Sequence, residues 1–282
     1  MKKILITGAN SYIGTSFEAY LKNFKNEYQV DTLDMLDPNW RETSFSGYDA
    51  IFHVAAIVHK NEKKCGSEIY YKINTELTLE IAIKAKKSGV GQFVFLSSMS
   101  VYGKTIGRID RETVPDPNTH YGKSKFQAEQ ELMKCVDNEF CIAIIRPPIV
   151  YGKGCKGNYQ SLSKFARKMK IFPYVKNERS MLYIENLCEF VRLVIENKED
   201  GIFFPQNAEY SNTSRMVEMI AMANGKKIYL VKGFTWLLKL LRPFVGLINK
   251  AFGNLTYDTK LSEYKQNYTL YNLEESILRT EK

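Results

Sequence analysis

Histidine is scarce in this chain, and none of its three copies, His53, His59 and His120, stands at metal-ligand spacing from another or from a carboxylate cluster, so no metal is expected. Cysteine is sparse as well. Cys65, Cys135, Cys141, Cys155 and Cys188 are odd in number, scattered and without a CxxC pair, which excludes a disulfide framework and reads as reduced thiols of a cytoplasmic protein. There is no internal repeat and no low-complexity stretch, and the opening apolar run Ile4-Leu5-Ile6 stops at Thr7-Gly8, too early for a secretion signal. Acid is the scarcer charge. Lys and Arg total 40 against 31 Asp and Glu, and the net +9 favours anionic ligands: phosphorylated cofactors and substrates, nucleic acid or acidic lipid.

What is present is an alternation of strand-like and helix-like segments. Apolar runs at 3–7, 29–33, 50–55, 92–97 and 141–146 are separated by helical patterns at 13–25, 68–88 and 121–136. Such alternation implies a parallel sheet, and strands that read as nearly continuous apolar runs imply helices on both faces. The fold expected is α/β, a Rossmann-type doubly wound parallel sheet over residues 1–150, followed with some interleaving by a smaller mixed α/β substrate-binding region over 151–282. In that second region a Gly/Lys-rich loop precedes helices near 185–197 and 213–223, with a short strand at 201–204.

Directly after the first strand comes Gly8-Ala9-Asn10-Ser11-Tyr12-Ile13-Gly14. A glycine turn opening a helix at the carboxyl edge of a sheet suits a pyrophosphate, because glycine lets backbone approach phosphate and the helix dipole attracts its charge. Gly8, Asn10, Ser11, Tyr12, Ile13 and Gly14 are therefore candidate cofactor contacts. Ser11 replaces the middle glycine of the full fingerprint, and its hydroxyl is a candidate phosphate donor. Asp34 closes the second strand, where a carboxylate accepts from both adenosine ribose hydroxyls and favours NAD; Arg41 nearby keeps NADP open.

Tyr121 and Lys125 stand four apart at the start of a helical segment and so share one face. The spacing alone is common in a chain this rich in both residues, but the pair begins the helix after the 92–98 strand, on the same sheet edge as the glycine turn. A phenol beside an ammonium is a candidate general base, the lysine lowering its pKa. Ser98, at the end of that strand, is the candidate hydroxyl for a sugar oxygen. Capping of loose backbone groups at the strand end is expected of Ser97 or Ser100 instead.

The chain resembles the extended short-chain dehydrogenases/reductases that act on nucleotide sugars, the branch that includes UDP-glucose 4-epimerases. The resemblance runs through Thr7-Gly8 to Gly14, His53-Val54-Ala55-Ala56, Asn74, Ser97-Ser98 to Gly103, Tyr121 to Lys125, Arg146-Pro147 to Tyr151-Gly152, and Arg179 to Tyr183-Ile184. It implies that Ser98, Tyr121 and Lys125 are catalytic, with Lys125 on the nicotinamide ribose. It also implies that Ala55, Ala56 and Asn74 belong to the cofactor site, and that Arg179 and Asn158 bind the sugar nucleotide, a guanidinium suiting its diphosphate. Met99-Ser100 stands where dehydratases of the family carry Asp-Glu, so dehydration is not expected. Asn186 replaces an aspartate usual in the family.

The function expected is 4-epimerisation of a UDP-hexose or UDP-N-acetylhexosamine with NAD (NADP possible). The alternative is a 4-ketoreductase of a nucleotide-linked 4-keto-6-deoxy sugar in surface polysaccharide precursor synthesis. A dinucleotide-binding regulator without catalysis is a third reading. The partners expected are the nucleotide-sugar substrate and a second copy of the chain, with no nucleic acid. In the 234–252 segment Leu237, Leu240, Leu241, Phe244 and Ile248 form one helical stripe, with Lys239, Arg242 and Lys250 off it. Those charges and Pro243 exclude a bilayer span, leaving weak contact with a membrane surface, or packing on protein, as its expected roles.

Overall fold

Strands apolar at every position must bury both faces, and the central strands of the first unit do so. The computed structural model describes residues 1–58, 66–233 and 253–282. The 234–252 segment, His59 and Cys65 lie outside the described residues. In chain order the elements are β1 (Lys2–Thr7), α1 (Tyr12–Leu21), β2 (Tyr28–Leu33), β3 (Ala50–His53), α2 (Glu68–Tyr71), α3 (Leu77–Lys87), β4 (Gln92–Leu96), β5 (Gly107–Ile109), α4 (His120–Met133) and β6 (Cys141–Ile145). They continue with β7 (Ile149–Tyr151), α5 (Asn158–Ala166), β8 (Ile171–Pro173), β9 (Met181–Tyr183), α6 (Ile184–Glu196), β10 (Gly201–Phe203), α7 (Thr213–Ala223), β11 (Tyr229–Val231), β12 (Leu255–Tyr257) and α8 (Leu273–Glu281).

The chain divides into two compact units, one of Met1–Gly103, Thr113–Pro147 and Cys188–Pro205, the other of Lys104–Glu112, Pro148–Leu187 and Gln206–Lys282. The first holds a six-stranded parallel sheet in the order β10-β6-β4-β3-β1-β2. On one face Leu5, Ile51, Phe93, Phe95, Ile142 and Ile144 pack against Leu77, Ile81 and Ala85 of α3 and Ala128 and Leu132 of α4. On the other, Phe52 meets Phe17 of α1 edge to face at 5.0 Å. This is the Rossmann-type fold expected. The chain runs from β1 outward to β2 and then returns to β3 on the other side of β1, so the winding reverses between β1 and β3, the place where sheets of this class bind ligands beyond their carboxyl ends.

Two local features depart from the pattern read in sequence. The single helix expected at 68–88 is interrupted by a π-helical turn, Lys72–Glu76, between α2 and α3. The short strands β5, β7, β8, β9, β11 and β12 form three two-stranded parallel ribbons, β12–β5, β7–β9 and β11–β8, none of which periodicity revealed because three residues carry too little of it.

In the second unit a polar core of amides and phenols does work usually left to apolar side chains. Tyr151 stacks on Tyr159 at 5.1 Å and shares its hydroxyl with Ser276 Oγ at 2.5 Å and Asn207 Nδ2 at 3.0 Å. Asn186 donates to Asn207 Oδ1 and the Tyr271 carbonyl and accepts from the Tyr271 N–H. An aspartate there would lack the two donor hydrogens, which accounts for the asparagine. Glu281 of α8 ties three helices: its carboxylate, on a side chain 1% exposed, accepts from Tyr159, Ser163, Arg167 and Asn224.

Burial works to raise the Glu281 pKa, and the bonds from Asn224, Arg167, Ser163 and Tyr159 outweigh it, leaving the carboxyl below its ordinary 4.5. A carboxyl held low in the fold adds stability that is full above the unfolded value and is lost as pH falls through the folded one. Glu281→Ala is therefore expected to cost about 2 kcal/mol near neutral pH, since it strands several half-buried donors. In thermal melts its gap from wild type should close progressively below pH 4.5; a gap that persists undiminished in acid would contradict this.

Candidate active site

The glycine turn is held against β3 by a backbone approach that admits no side chain. Gly8 has φ +106°, and a Cβ there would stand 2.7 Å from the Ala55 nitrogen. The Gly8 and Ala9 N–H groups both donate to the Leu33 carbonyl at the end of β2. Asn10 follows at φ 67°, in the left-handed region where asparagine is the best tolerated non-glycine residue. Ser11 then caps α1, its hydroxyl accepting from the Gly14 N–H at 3.1 Å. A Cβ on Gly14 would meet that hydroxyl at 2.7 Å, so the serine is matched to the glycine three residues on. That bond uses a lone pair of the Ser11 hydroxyl and not its proton, the group expected to reach a phosphate.

Tyr12 and Ile13, both half-buried, begin the helix whose positive pole lies at this turn. Asp34 follows β2 directly, half-buried, with Oδ1 accepting from the Leu36 N–H at 2.9 Å. Arg41, the residue that kept NADP open, forks onto Glu80 with contacts of 2.5 and 2.8 Å and lies over the Trp40 ring. That pair is exposed, its side chains 58% and 43% accessible, and so is weakly held. Ala55 is held by its N–H on the Thr7 carbonyl, with Ala56 next in the chain. Asn74, fully buried in the π-helical turn, bonds the Ile57 N–H and carbonyl and the Ser124 hydroxyl. Its amide clamps the 55–57 segment to α4, so any part it has in cofactor binding runs through that segment.

At the carboxyl end of β4, Ser98 lies close enough to the Tyr121 phenol to lower its pKa, and both are half-buried. The serine also caps the short turn that follows, accepting from the Ser100 N–H at 3.1 Å. Capping was expected of Ser97 or Ser100; Ser97 instead donates to Glu129. Lys125 is buried, donates to the Leu96 carbonyl at 2.8 Å and lies 4.4 Å from the Phe95 ring centre. The structure thus brings a phenol and an alcohol near each other and sets the lysine amine on Leu96, two residues from that alcohol along β4.

The electrostatics differ from the simple expectation that lysine activates tyrosine. Burial pushes the Tyr121 phenol up to about 12, opposed by Ser98. Burial pushes Lys125 down to about 7, opposed by the Glu129 carboxylate. Desolvation outweighs attraction for both groups, so the phenol is protonated at neutral pH. His53 is a packed strand residue, as its sequence context suggested, bonded to Thr7 and Thr78 and driven by burial and Lys125 to about 3. His120, expected on a solvated loop, begins α4 against Tyr71, its Nδ1 buried and without a partner among the described residues.

A buried ion pair that sequence reading missed supports these groups. Arg146 forks onto Glu129 with contacts of 2.5, 3.0 and 3.2 Å and donates to the Tyr102 hydroxyl at 2.8 Å. A Glu four residues after Lys125, and so on the same helix face, was the available signal.

In the second unit Arg179 pairs its backbone with Ser211 and donates Nη1 to the Gly253 carbonyl at 2.9 Å. Its Nε is buried and has no partner among the described residues, and burial lowers its pKa. Asn158 is exposed at the first position of α5. No group of three metal-ligating side chains occurs among the described residues, and no helix there is long and apolar enough to cross a membrane.

The sequence model of the NAD dependent epimerase/dehydratase family matches residues 4–204. The chain belongs to that family. A UDP-glucose 4-epimerase of Vibrio cholerae is 28% identical over 287 residues, covering 91% of this chain and 87% of that protein. An N-acetyl-alpha-D-glucosaminyl-diphospho-ditrans,octacis-undecaprenol 4-epimerase of Escherichia coli O157:H7 is 27% identical, covering 80% and 73%. Among solved structures, UDP-glucuronic acid 4-epimerase of Bacillus cereus in complex with NAD superposes with TM-score 0.73 at 21% identity, covering 98% of this chain and 96% of that one. A dTDP-4-dehydrorhamnose reductase of Clostridium acetobutylicum does so at 0.76 and 19%, covering 99% and 98%. These two likenesses show the shared fold.

Among the residues of this family member, Lys125 carries a stability cost that can be measured. Its folded pKa lies below its ordinary 10.5, so the unfolded chain holds the proton more tightly, and the penalty is full below about 7 and fades as pH rises towards 10.5. Lys125→Met is expected to raise stability by a few kcal/mol at neutral pH and below. Its lead over wild type in denaturant melts should shrink between pH 7 and 10.5; a lead independent of pH would refute the buried-cation account.

Proposed function

We propose that this family member is an NAD-dependent enzyme that epimerises a nucleotide sugar at C4, most simply a UDP-hexose or UDP-N-acetylhexosamine. The observation that carries the proposal is the convergence of Ser98, close enough to lower the pKa of the Tyr121 phenol, with the buried Lys125 amine on Leu96, at the same carboxyl edge of the sheet as the Gly8 turn. The residues present fit a dinucleotide: the Gly8 turn lies tight against the Ala55 backbone at the carboxyl edge of the sheet, the positive end of α1 opens there, and Asp34 offers a carboxylate beyond β2. When bound, NAD supplies a hydride acceptor that later returns the hydride to the other face of the sugar carbon.

In this proposal the chain's own groups manage the proton. Ser98 donates to the C4 oxygen and holds it, and Tyr121 takes the hydroxyl proton as the C–H bond is lost and gives it back when that bond reforms. Net redox is zero. Lys125 serves the nicotinamide ribose, and its charge favours the phenolate once a cationic ring shares the site. Arg179, with its Nε unpaired among the described residues, and Asn158 are assigned to the nucleotide diphosphate and sugar. Cytoplasmic location, a homodimer and contact of 234–252 with a membrane surface are parts of the same proposal.

A 4-ketoreductase acting once and in one direction would use the same three residues. The reductase likeness is one of fold, whereas two sequence relatives are 4-epimerases, which favours epimerisation. Incubation with UDP-glucose and UDP-N-acetylglucosamine, read by NMR, should give the C4 epimer without net consumption of NADH. Stoichiometric oxidation of NADH on a 4-keto sugar, with no epimer formed, would establish the reductase. Tyr121→Phe should lower kcat by about 10²- to 10⁴-fold with the fold retained. Unchanged turnover in that variant would remove the phenol from the chemistry.

A further inference from the structure

The β8–β11 ribbon of the second unit has an inner face that packs and an outer face that does not. Inward, Phe172 is buried with the Phe165 ring on its edge at 5.8 Å, and Ser214 of α7 ties Pro173 and Val175 by their backbone. Outward, the parallel register sets Ile171 beside Tyr229, each 57% exposed, with Met169 and Tyr174 exposed just before and after β8. Exposed Arg167, Lys168, Lys170, Lys176, Lys226, Lys227 and Lys232 surround them, and neither 164–177 nor 225–233 contains an acidic residue.

Most of that charge is uncommitted. Arg167 pairs with Glu281 and Lys226 donates to the Arg167 carbonyl, whereas Lys168, Lys170, Lys227 and Lys232 form no ion pair among the described residues. Lys227 lies 5.2 Å from the Tyr229 ring centre and Lys232 5.8 Å from that of Tyr174, so two of the cations are held beside the exposed rings. A merely solvated face has use for the lysines but none for Met169, Ile171 and two tyrosines. A lipid surface uses both: phosphate headgroups take the cations, and the interfacial layer takes the apolar and amphipathic side chains. Single-stranded nucleic acid would want open aromatic faces for stacking, and here lysines already lie beside them while aliphatic side chains share the centre. The chain leaves β11 three residues before the 234–252 stretch, whose sequence repeats the same pairing of leucines with Lys and Arg.

We propose that the outer face of the β8–β11 ribbon docks this protein on membrane surfaces rich in anionic phospholipid. The proposal stands on the second unit alone and is independent of the reaction catalysed. Its test is co-sedimentation of the full chain with vesicles of phosphatidylglycerol and phosphatidylcholine, against vesicles of phosphatidylcholine only. Wild type should bind the anionic vesicles selectively and be released by high salt. With about fivefold in affinity for each cation near such a surface, reversing four of them (Lys168→Glu, Lys170→Glu, Lys227→Glu, Lys232→Glu) should weaken binding by about a hundredfold or more. Ile171→Ser with Tyr229→Ser, which leaves every charge in place, should weaken it by about tenfold or more. Melting temperature checks that each variant is folded, and the second keeps the test sharp if the first is not. No selective binding by wild type would overturn the proposal. So would binding unchanged in the folded variants, which would move the contact to 234–252, and so would charge-dependent capture of poly-uridylate in place of vesicles.

Discussion

One buried carboxylate fastens α4 to the carboxyl ends of β4 and β6. Glu129 sits on α4 one turn beyond Lys125 and two beyond Tyr121, receives Ser97 from the end of β4, and is gripped by Arg146 from the residue after β6. Three elements that meet the substrate edge of the sheet are thus fastened at a single ion pair with side chains 5% and 3% exposed. Breaking such a pair costs about 3–5 kcal/mol, because the survivor is left charged and dry. An apolar replacement of both partners could pack as well, yet would no longer fix the rotation of α4 against β4. The pair is better understood as a device for orientation than as a source of net stability.

That orientation matters because the opposite wall is equally constrained. Gly8 and Ala55 approach so closely that backbone alone fills the gap, and the Asn74 amide pins the residues after β3 to Ser124 on α4. The π-helical turn is what allows this. A regular helix through 72–76 would carry Asn74 round by the missing residue, whereas the wider turn leaves it buried and facing Ile57. The 55–57 segment and α4 are therefore linked through one asparagine as well as through the sheet.

Much of this was legible in the order of residues. Continuous apolar strands gave the parallel sheet, and the glycine turn, Asp34, Ser98, Tyr121 and Lys125 fall at carboxyl ends of strands or at helix starts because those are where backbone groups and side chains converge in a wound sheet. What was not legible depends on distance through space. Nothing in the sequence says that Arg41 faces Glu80, that Ser97 and not Ser98 reaches Glu129, or that three-residue strands pair across gaps as long as the one between β5 and β12. Asn186 was conspicuous as a departure from the family pattern, but its reason, two donors and an acceptor serving Asn207 and Tyr271, required the fold.

The shifted pKa values of the phenol and the ammonium carry the argument one step further. With Tyr121 near 12 and Lys125 near 7, the phenol is neutral at physiological pH and the lysine is divided between its charged and neutral forms. A site that kept a phenolate and an ammonium permanently would hold two desolvated charges at all times, with Glu129 and Arg146 as a second pair beneath them. A neutral phenol and a weakened ammonium in the unliganded chain lessen that cost, and His53, buried and neutral between Thr7 and Thr78, adds no competing charge.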